Sequence, residues 1–308
     1  MQNSFDCVIH RLGEVCYECT SAVAMGFFDG VHWGHRAIFQ KLISVAEEKK
    51  LQSIALTFDK HPSELLAPKH SPGYISTFDQ RIDYIMETGV KEVVVAEFGT
   101  ELSQLDPDQF IKHILIDKLN AKHIIVGANF RFGKDRTGDI RHLQLKSEIF
   151  GFEIDVVPSV IIDGAPVSST RIRSKIAHGD LSAAESLLGH PFVLRGEVVK
   201  GRQVGRQIGF PTANIRTSSK QLIPGNGVYS VSVEIDDKKY CGVCSIGNRP
   251  TFDNGEISIE VHIKDFDGDL YGKTLDTTFI KKIREERKFS SSSDLIKQIE
   301  IDLKEACI

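Results

Sequence analysis

Two imidazoles set around a glycine mark the first place where this chain could do chemistry. In Gly26-Phe27-Phe28-Asp29-Gly30-Val31-His32-Trp33-Gly34-His35-Arg36 an apolar run ends in glycine, turns, and enters an amphipathic stretch through His32 and His35. A helix start offers free backbone amides and the positive end of its dipole, so it attracts anions. Gly34 permits close approach, and both imidazoles can donate hydrogen bonds to phosphate oxygens. A polyphosphate fits that chemistry, although the string alone equally suits two ordinary polar residues at a helix start. Val167-Ser168-Ser169-Thr170-Arg171-Ile172-Arg173 repeats the theme: a strand running into a helix start, hydroxyls at cap positions, and an arginine able to grip phosphate bidentately. The stretch from Gly127 to Asp135 is not a Walker A loop, because five residues separate its glycines and no Ser or Thr follows Lys134.

A second constellation lies further on. Gly201, Gly205 and Gly209 are spaced four apart and lead into Phe210-Pro211-Thr212-Ala213-Asn214. Flexible backbone ahead of Thr212 and Asn214 could cradle Mg·ATP, because magnesium takes hydroxyl and carbonyl oxygens and keeps several waters. From spacing alone, a glycine-rich β-hairpin closed by an ordinary turn is the better reading. Glu260 lies on the strand face opposite Ile257, Ile259, Val261 and Ile263, a placement that serves either a catalytic pocket or plain solvent.

Elements must hold these pieces. Between residues 21 and 158, short β-branched runs at 22–26, 53–58, 92–96, 124–127 and 153–157 alternate with amphipathic stretches, the pattern of βαβ units around a parallel sheet. Ile38, Leu42, Val45 and Ala46 recur on one helical face, which predicts a helix over 34–50. Beyond about residue 189 the texture changes to period-two strands at 227–233, 240–246, 257–263 and 275–280, an antiparallel β domain. A last helix is expected from about Ser293, with Asp294 near its start and Leu295, Ile299 and Leu303 on one face. The boundary is expected within 182–191, giving domains 1–186 and 187–308.

Composition bounds the class. The chain has 308 residues, enough for about two domains, with 41% hydrophobic and 26% charged residues, so it is globular rather than disordered. A net charge of −4 lacks the basic excess of a nucleic-acid binder, so any nucleotide partner is expected to be small. No apolar run approaches the ~20 residues that span a bilayer, and no secretory h-region opens the chain; a cytoplasmic address is expected. Six cysteines are too few for a disulfide scaffold. Cys16 and Cys19, and Cys241 and Cys244, have C-x-x-C spacing, but both pairs read as strand residues pointing to opposite faces, so reduced thiols rather than zinc are expected.

The first two pieces together resemble the nucleotidylyltransferase superfamily, and within it the Gly-x-Phe-Asp-Gly-Val-His-x-Gly-His string resembles the FMN adenylyltransferase half of prokaryotic FAD synthetases. Thr57-Phe58-Asp59-Lys60-His61-Pro62, Val126-Gly127-Ala128-Asn129-Phe130-Arg131-Phe132-Gly133 and Arg136-Thr137-Gly138 continue the likeness in order. From residue 190 to the end the chain resembles riboflavin kinase: Gly209 to Asn214, Gly227-Val228-Tyr229, Ser245-Ile246-Gly247-Asn248-Arg249-Pro250-Thr251-Phe252, Ile259 to Phe266, Asp269-Leu270-Tyr271-Gly272 and Ile283 to Phe289.

The resemblance implies an N-terminal Rossmann-like α/β domain with a parallel sheet, followed by a six-stranded antiparallel β-barrel with a terminal helix. It implies a bifunctional enzyme that makes FMN from riboflavin and ATP with Mg2+, then FAD from FMN and ATP with release of pyrophosphate. By motif position, His32, His35 and Arg171 serve adenylyl transfer; Gly26, Phe28, Gly34, Ser169 and Thr170 bind its ATP. Phe58, His61, Pro62, Asn129 and Arg131 lie toward flavin, and Arg284 serves flavin in the second domain. There Glu260 is the base, Gly201, Gly205 and Gly209 cradle ATP, and Thr212 and Asn214 hold the metal. Lys60 stands where many relatives carry Pro, and Asn129 where Asp is frequent. These departures leave open a kinase with a weak or regulatory adenylyltransferase domain. A flavin-binding regulator is the remaining alternative. No membrane or nucleic-acid partner is expected, and the sequence is silent on oligomeric state.

Overall fold

The computed structural model describes residues 8–62, 64, 73–201, 204–218, 220–248 and 257–307. Contacts divide the chain into two units, one comprising residues up to 72 with Phe78–Ser168, the other Gly73–Thr77 with Ser169–Ile308. By contacts, residues 182–191, where the sequence places the boundary, lie within the second unit.

The first unit is built on a six-stranded parallel sheet in the order β1-β4-β3-β2-β5-β6. Its strands are β1 (Val8–Arg11), β2 (Ser21–Met25), β3 (Gln52–Phe58), β4 (Glu92–Ala96), β5 (Ala121–Gly127) and β6 (Glu153–Val157). The expected runs at 92–96 and 153–157 match, and the other three lie within a few residues of the observed bounds. β1 was not expected. It is an edge strand whose Val8 and Ile9 are about half exposed, so it carries no burial alternation to read.

Helix α1 (Trp33–Lys49) buries Ile38, Phe39, Leu42, Val45 and Ala46 against the sheet and ends at Lys50 in the left-handed region, φ 55°. Each large side chain buried there contributes about 2 kcal/mol. Helix α2 (Phe78–Met86) packs on the same side through Ile82 and Ile85, and α3 (Ile140–Phe150) on the opposite side through Leu143.

The second unit is a closed antiparallel barrel in the order β10-β13-β12-β11-β14-β9. Its strands are β9 (Phe192–Val199), β10 (Ala213–Thr217), β11 (Gly227–Ile235), β12 (Lys238–Asn248), β13 (Ile257–Ile263) and β14 (Thr274–Arg284), after the two-residue strands β7 (Ile161–Ile162) and β8 (Ala165–Pro166) of the first unit. The barrel interior holds Phe192, Leu194, Val231, Ile246, Val261 and Phe279. Closure removes the exposed edges that an open antiparallel sheet would present.

Helices α4 (Ser169–Ala177) and α5 (Leu181–Leu188) precede the barrel, and α6 (Ser292–Ala306) closes the chain. The expected last helix is found, but Leu295, Ile299 and Leu303 are only half-buried; its one fully buried residue is Asp302. A short strap, Gly73–Thr77, belongs to this unit: Tyr74 N–H donates to Lys220 O at 2.7 Å, Leu222 N–H to Tyr74 O at 2.7 Å, and Arg173 Nε to Gly73 O at 2.8 Å.

The cysteines depart from expectation twice. Cys16 and Cys19 lie exposed in the irregular stretch before β2 rather than on a strand. Cys241 and Cys244 do share β12, but Cys241 is disulfide-bonded to Cys307. Ser230 Oγ donates to Ala306 O at 3.0 Å, which seats the last turn of α6 and brings the two Cα atoms to 5.7 Å. Sixty-six residues separate the partners, so local spacing could not reveal the pair.

Candidate active sites

In an open parallel sheet, ligands bind beyond the carboxyl ends of the strands, where the strand order reverses. Here the reversal falls between β2 and β5. β2 feeds the turn from Gly26, β3 ends at Phe58, and β5 ends at Gly127, so the topology brings three of the singled-out stretches to one edge of the sheet.

The turn after β2 is wound in a way few residues tolerate. Phe28, Gly30 and Val31 all have positive φ, at 57°, 72° and 37°. For a β-branched residue this costs about 1–3 kcal/mol and persists only where the surroundings enforce it. Phe28 supplies that enforcement: it is 2% exposed, its ring lies 4.6 Å from Phe39, and a Cβ on Gly26 would meet the ring at 2.8 Å.

His32 is the N-cap of α1. Its Nδ1 accepts from His35 N–H at 3.4 Å, and its carbonyl accepts from His35 N–H at 2.8 Å and Arg36 N–H at 2.9 Å. An accepting Nδ1 puts the ring proton of the neutral tautomer on Nε2. The two imidazoles stack with centroids 3.6 Å apart, and a Cβ on Gly34 would crowd His32 at 3.1 Å.

Around this turn, His61 sets its ring edge-on to Phe27 at 4.8 Å, and Phe58 meets Phe98 at 5.8 Å. Pro62 is half-buried, while Asn129 and Arg131 are exposed; Arg131 Nη1 lies 3.3 Å from Asp139. Phe132, by contrast, is buried and stacks on Phe130, and its backbone pairs with Gly138. The loop is thus pinned at its aromatic base and presents polar residues at its tip. Ser169, Thr170 and Arg171 open helix α4 of the second unit.

On the barrel, Glu260 stands opposite Asn214 across the β10–β13 ladder and opposite Ser245 on β12. Both carboxylate oxygens are held: Oε2 accepts from Thr212 Oγ1 at 3.3 Å, and Oε1 from Ser258 Oγ at 3.1 Å. Phe210 and Pro211, at the end of the glycine-rich segment, pack on this outer face, since His262 Nδ1 lies 2.8 Å from Pro211 O and its ring 5.4 Å from Phe210. Glycine is required at 201 because a Cβ there would overlap the Asn214 amide, which is 8% exposed.

Gly205 opens the turn that Phe210 N–H closes, and Gly209 has φ +88°. Thr212 also lines a cavity of about 540 Å³ with Val198, Arg206, Val261, Phe266 and Tyr271, within the range of ordinary ligand pockets. Arg284 is engaged by Asp302, with Nε at 3.0 Å and Nη2 at 2.8 Å from the carboxylate.

Sequence reasoning singled out Glu260 and Thr212, and quoted Phe266 and Asp269–Tyr271 within family-like pieces without assigning them a role, but passed over Ser258 and gave Arg206 no role. Ser258 carried a signal, since it lies two residues from Glu260 on the same strand face. The piece Arg249-Pro250-Thr251-Phe252, with Arg202 and Gln203, lies outside the described residues. Among the described residues no three His, Cys, Asp or Glu side chains gather as a metal site.

A strained helix-start turn beneath paired imidazoles, and a barrel carboxylate beside a glycine-rich flap, together define a two-domain transferase of nucleotide and phosphoryl groups. FAD synthetase matches residues 16–171 and riboflavin kinase residues 188–307. The bifunctional riboflavin kinase/FMN adenylyltransferase of Haemophilus influenzae is 38% identical over 299 residues, covering 97% of this chain and 96% of the relative. That of Escherichia coli K12 is 38% identical over 295 residues, covering 96% and 94%. A crystal structure described as a macrolide-efflux protein from Streptococcus pneumoniae superposes with a TM-score of 0.87 at 34% identity, covering 96% of this chain and 97% of that one.

The chain belongs to the family of bifunctional riboflavin kinase/FMN adenylyltransferases, ATP-dependent transferases that carry both activities. Among the described residues no helix is long and apolar enough to cross a membrane.

Proposed function

We propose that the two reactions run at two separate sites whose chemistry differs because their acceptors differ. In the barrel unit the acceptor is the terminal ribityl hydroxyl of riboflavin, a weak nucleophile whose proton must leave as it attacks the γ-phosphorus of ATP. Glu260 takes that proton. The observation that carries this reading is the fixed carboxylate: hydroxyl donors from Thr212 and Ser258 hold both oxygens while the residue stays half-exposed beside the flap.

Thr212 and Asn214 would hold Mg2+, which when bound offsets charge on the transferred phosphates. Gly201, Gly205 and Gly209 let the flap approach the nucleotide, and Arg284, oriented by Asp302, serves the flavin side.

At the end of β2 the acceptor is the FMN phosphate, already an anion, so positioning and stabilisation of charge passing to pyrophosphate suffice. His32 and His35 donate to the ATP phosphates, with Gly26, Phe28 and Gly34 shaping the turn. By motif position Ser169, Thr170 and Arg171 also serve the ATP phosphates of this reaction, and Phe58, His61, Pro62, Asn129 and Arg131 serve flavin. The enzyme works in the cytoplasm, where its substrates are small molecules. Flavin chromatography after incubation with riboflavin, ATP and magnesium tests the division. His32→Ala/His35→Ala should accumulate FMN without FAD, and Glu260→Gln should leave riboflavin unconverted yet form FAD from added FMN. Loss of FMN formation in the His32→Ala/His35→Ala protein, or of FAD formation from added FMN in the Glu260→Gln protein, would contradict separate sites.

A further inference from the structure

Helix α2 carries an arginine that no motif singles out and that the first unit buries almost completely. Arg81 is 3% exposed. Its guanidinium carbon lies 4.0 Å from the centroid of the Phe27 ring, and its Nη2 donates to Phe58 O at 2.5 Å. It therefore grips the ends of β2 and β3, the strands that deliver the phosphate turn and the stretch carrying His61. Nε is buried without a hydrogen-bond partner among the described residues.

Burying a cation is costly unless charge compensates it. Here the compensation comes from Asp29, 2% exposed within the strained turn, and from Asp59, whose Oδ1 accepts from the Lys60 and Phe98 amides at 2.8 Å each. Burial lowers the Arg81 pKa to about 10 and the two carboxylates oppose that shift, so the group keeps its charge at neutral pH. The converse matters more for function. Asp29, inside the turn proposed to bind polyphosphate, would repel that ligand; Arg81 is a buried cation that offsets it, while Asp59 also has Lys60 Nζ at 3.8 Å.

We propose that Arg81 is a positioning residue for adenylyl transfer: it ties α2 to the ends of β2 and β3 and cancels the acidic floor of the turn, making the turn receptive to the ATP triphosphate. This rests on the assignment of the ATP phosphates to His32 and His35.

Steady-state FMN adenylation by the full chain tests it. Arg81→Met, which keeps bulk and loses charge, raises the KM for ATP about tenfold or more and changes kcat far less. Arg81→Lys, which restores the charge without the fork, returns that KM to within about threefold of wild type. The apparent affinity of Arg81→Met for ATP also gains more from added salt than that of wild type, since screening relieves the exposed repulsion. Riboflavin phosphorylation is unchanged in both variants.

An unaltered KM in Arg81→Met overturns the proposal. So does an equal loss in the Met and Lys variants accompanied by an equal fall in melting temperature, which marks a packing role. If Arg81→Met is unstable, Arg81→Gln must show the same rise in KM. A His32→Ala/His35→Ala control separates the two failures: full adenylation there refutes the site assignment, whereas its loss beside a normal Arg81→Met refutes only the role of Arg81.

Discussion

The two regions proposed to handle ATP solve related problems with opposite means. At the end of β2 the proposed working parts are mostly backbone: three of the four turn residues 28–31 wound to positive φ, a helix N-terminus capped by His32, and stacked imidazoles. On the barrel the backbone is regular and the working part is a side chain, Glu260, held by two hydroxyls on a ladder of ordinary register. The acceptor explains the contrast. A phosphate monoester is already ionised near neutral pH and needs a place to sit, whereas an alcohol needs a base.

The comparison breaks first if the imidazoles are dispensable. His32→Ala/His35→Ala should lower the rate of FAD formation about 10³-fold while riboflavin phosphorylation stays within about twofold of wild type, measured as separate initial rates. Glu260→Gln should lower FMN formation by about 10²- to 10⁴-fold with adenylation of supplied FMN intact. A kinase rate within tenfold of wild type would remove Glu260 as the base.

A smaller effect sharpens the contrast in how the units are held together. Reducing the Cys241–Cys307 bond should destabilise the barrel unit by about 2–4 kcal/mol, read as a lower urea midpoint that Cys241→Ser reproduces without reductant. The first unit has no such bond among its described residues, and its charged network offers the smallest effect. Asp155 is partly desolvated, which alone would raise its pKa, yet hydrogen bonds from His123 at 2.8 Å and from Lys41 hold it below its usual range. A depressed carboxylate contributes stability above its unfolded pKa and loses it as pH falls through the folded value. Asp155→Asn should therefore cost stability at pH 6, with the difference from wild type shrinking below about pH 4 in paired urea melts.

The parallel sheet was legible because its buried strands are short β-branched runs, and α1 because Ile38, Leu42, Val45 and Ala46 recur on one face. β9 and β10 were not expected. β9 alternates inward Phe192, Leu194 and Val198 with outward residues, a signal present in the chain, whereas β10 is short and follows a Pro-Thr turn that masks it.

The candidate site was legible where its residues sit in contiguous strings, as at His32-Trp33-Gly34-His35 and Thr212-Ala213-Asn214. It was illegible where partners come from distant strands. Nothing local links Ser258 to Thr212 through Glu260, and a charged residue on an amphipathic helix, as Arg81 is, reads as solvent-facing until packing shows otherwise.

Mixing tests the separation of sites most directly. Glu260→Gln protein and His32→Ala/His35→Ala protein, each unable to make FAD from riboflavin, are incubated together with riboflavin, ATP and magnesium. If each protein retains one complete site, FMN released by the second is adenylated by the first and FAD accumulates. A mixture of two folded proteins that makes FMN but no FAD, although the Glu260→Gln protein alone converts supplied FMN, would contradict sites that work independently.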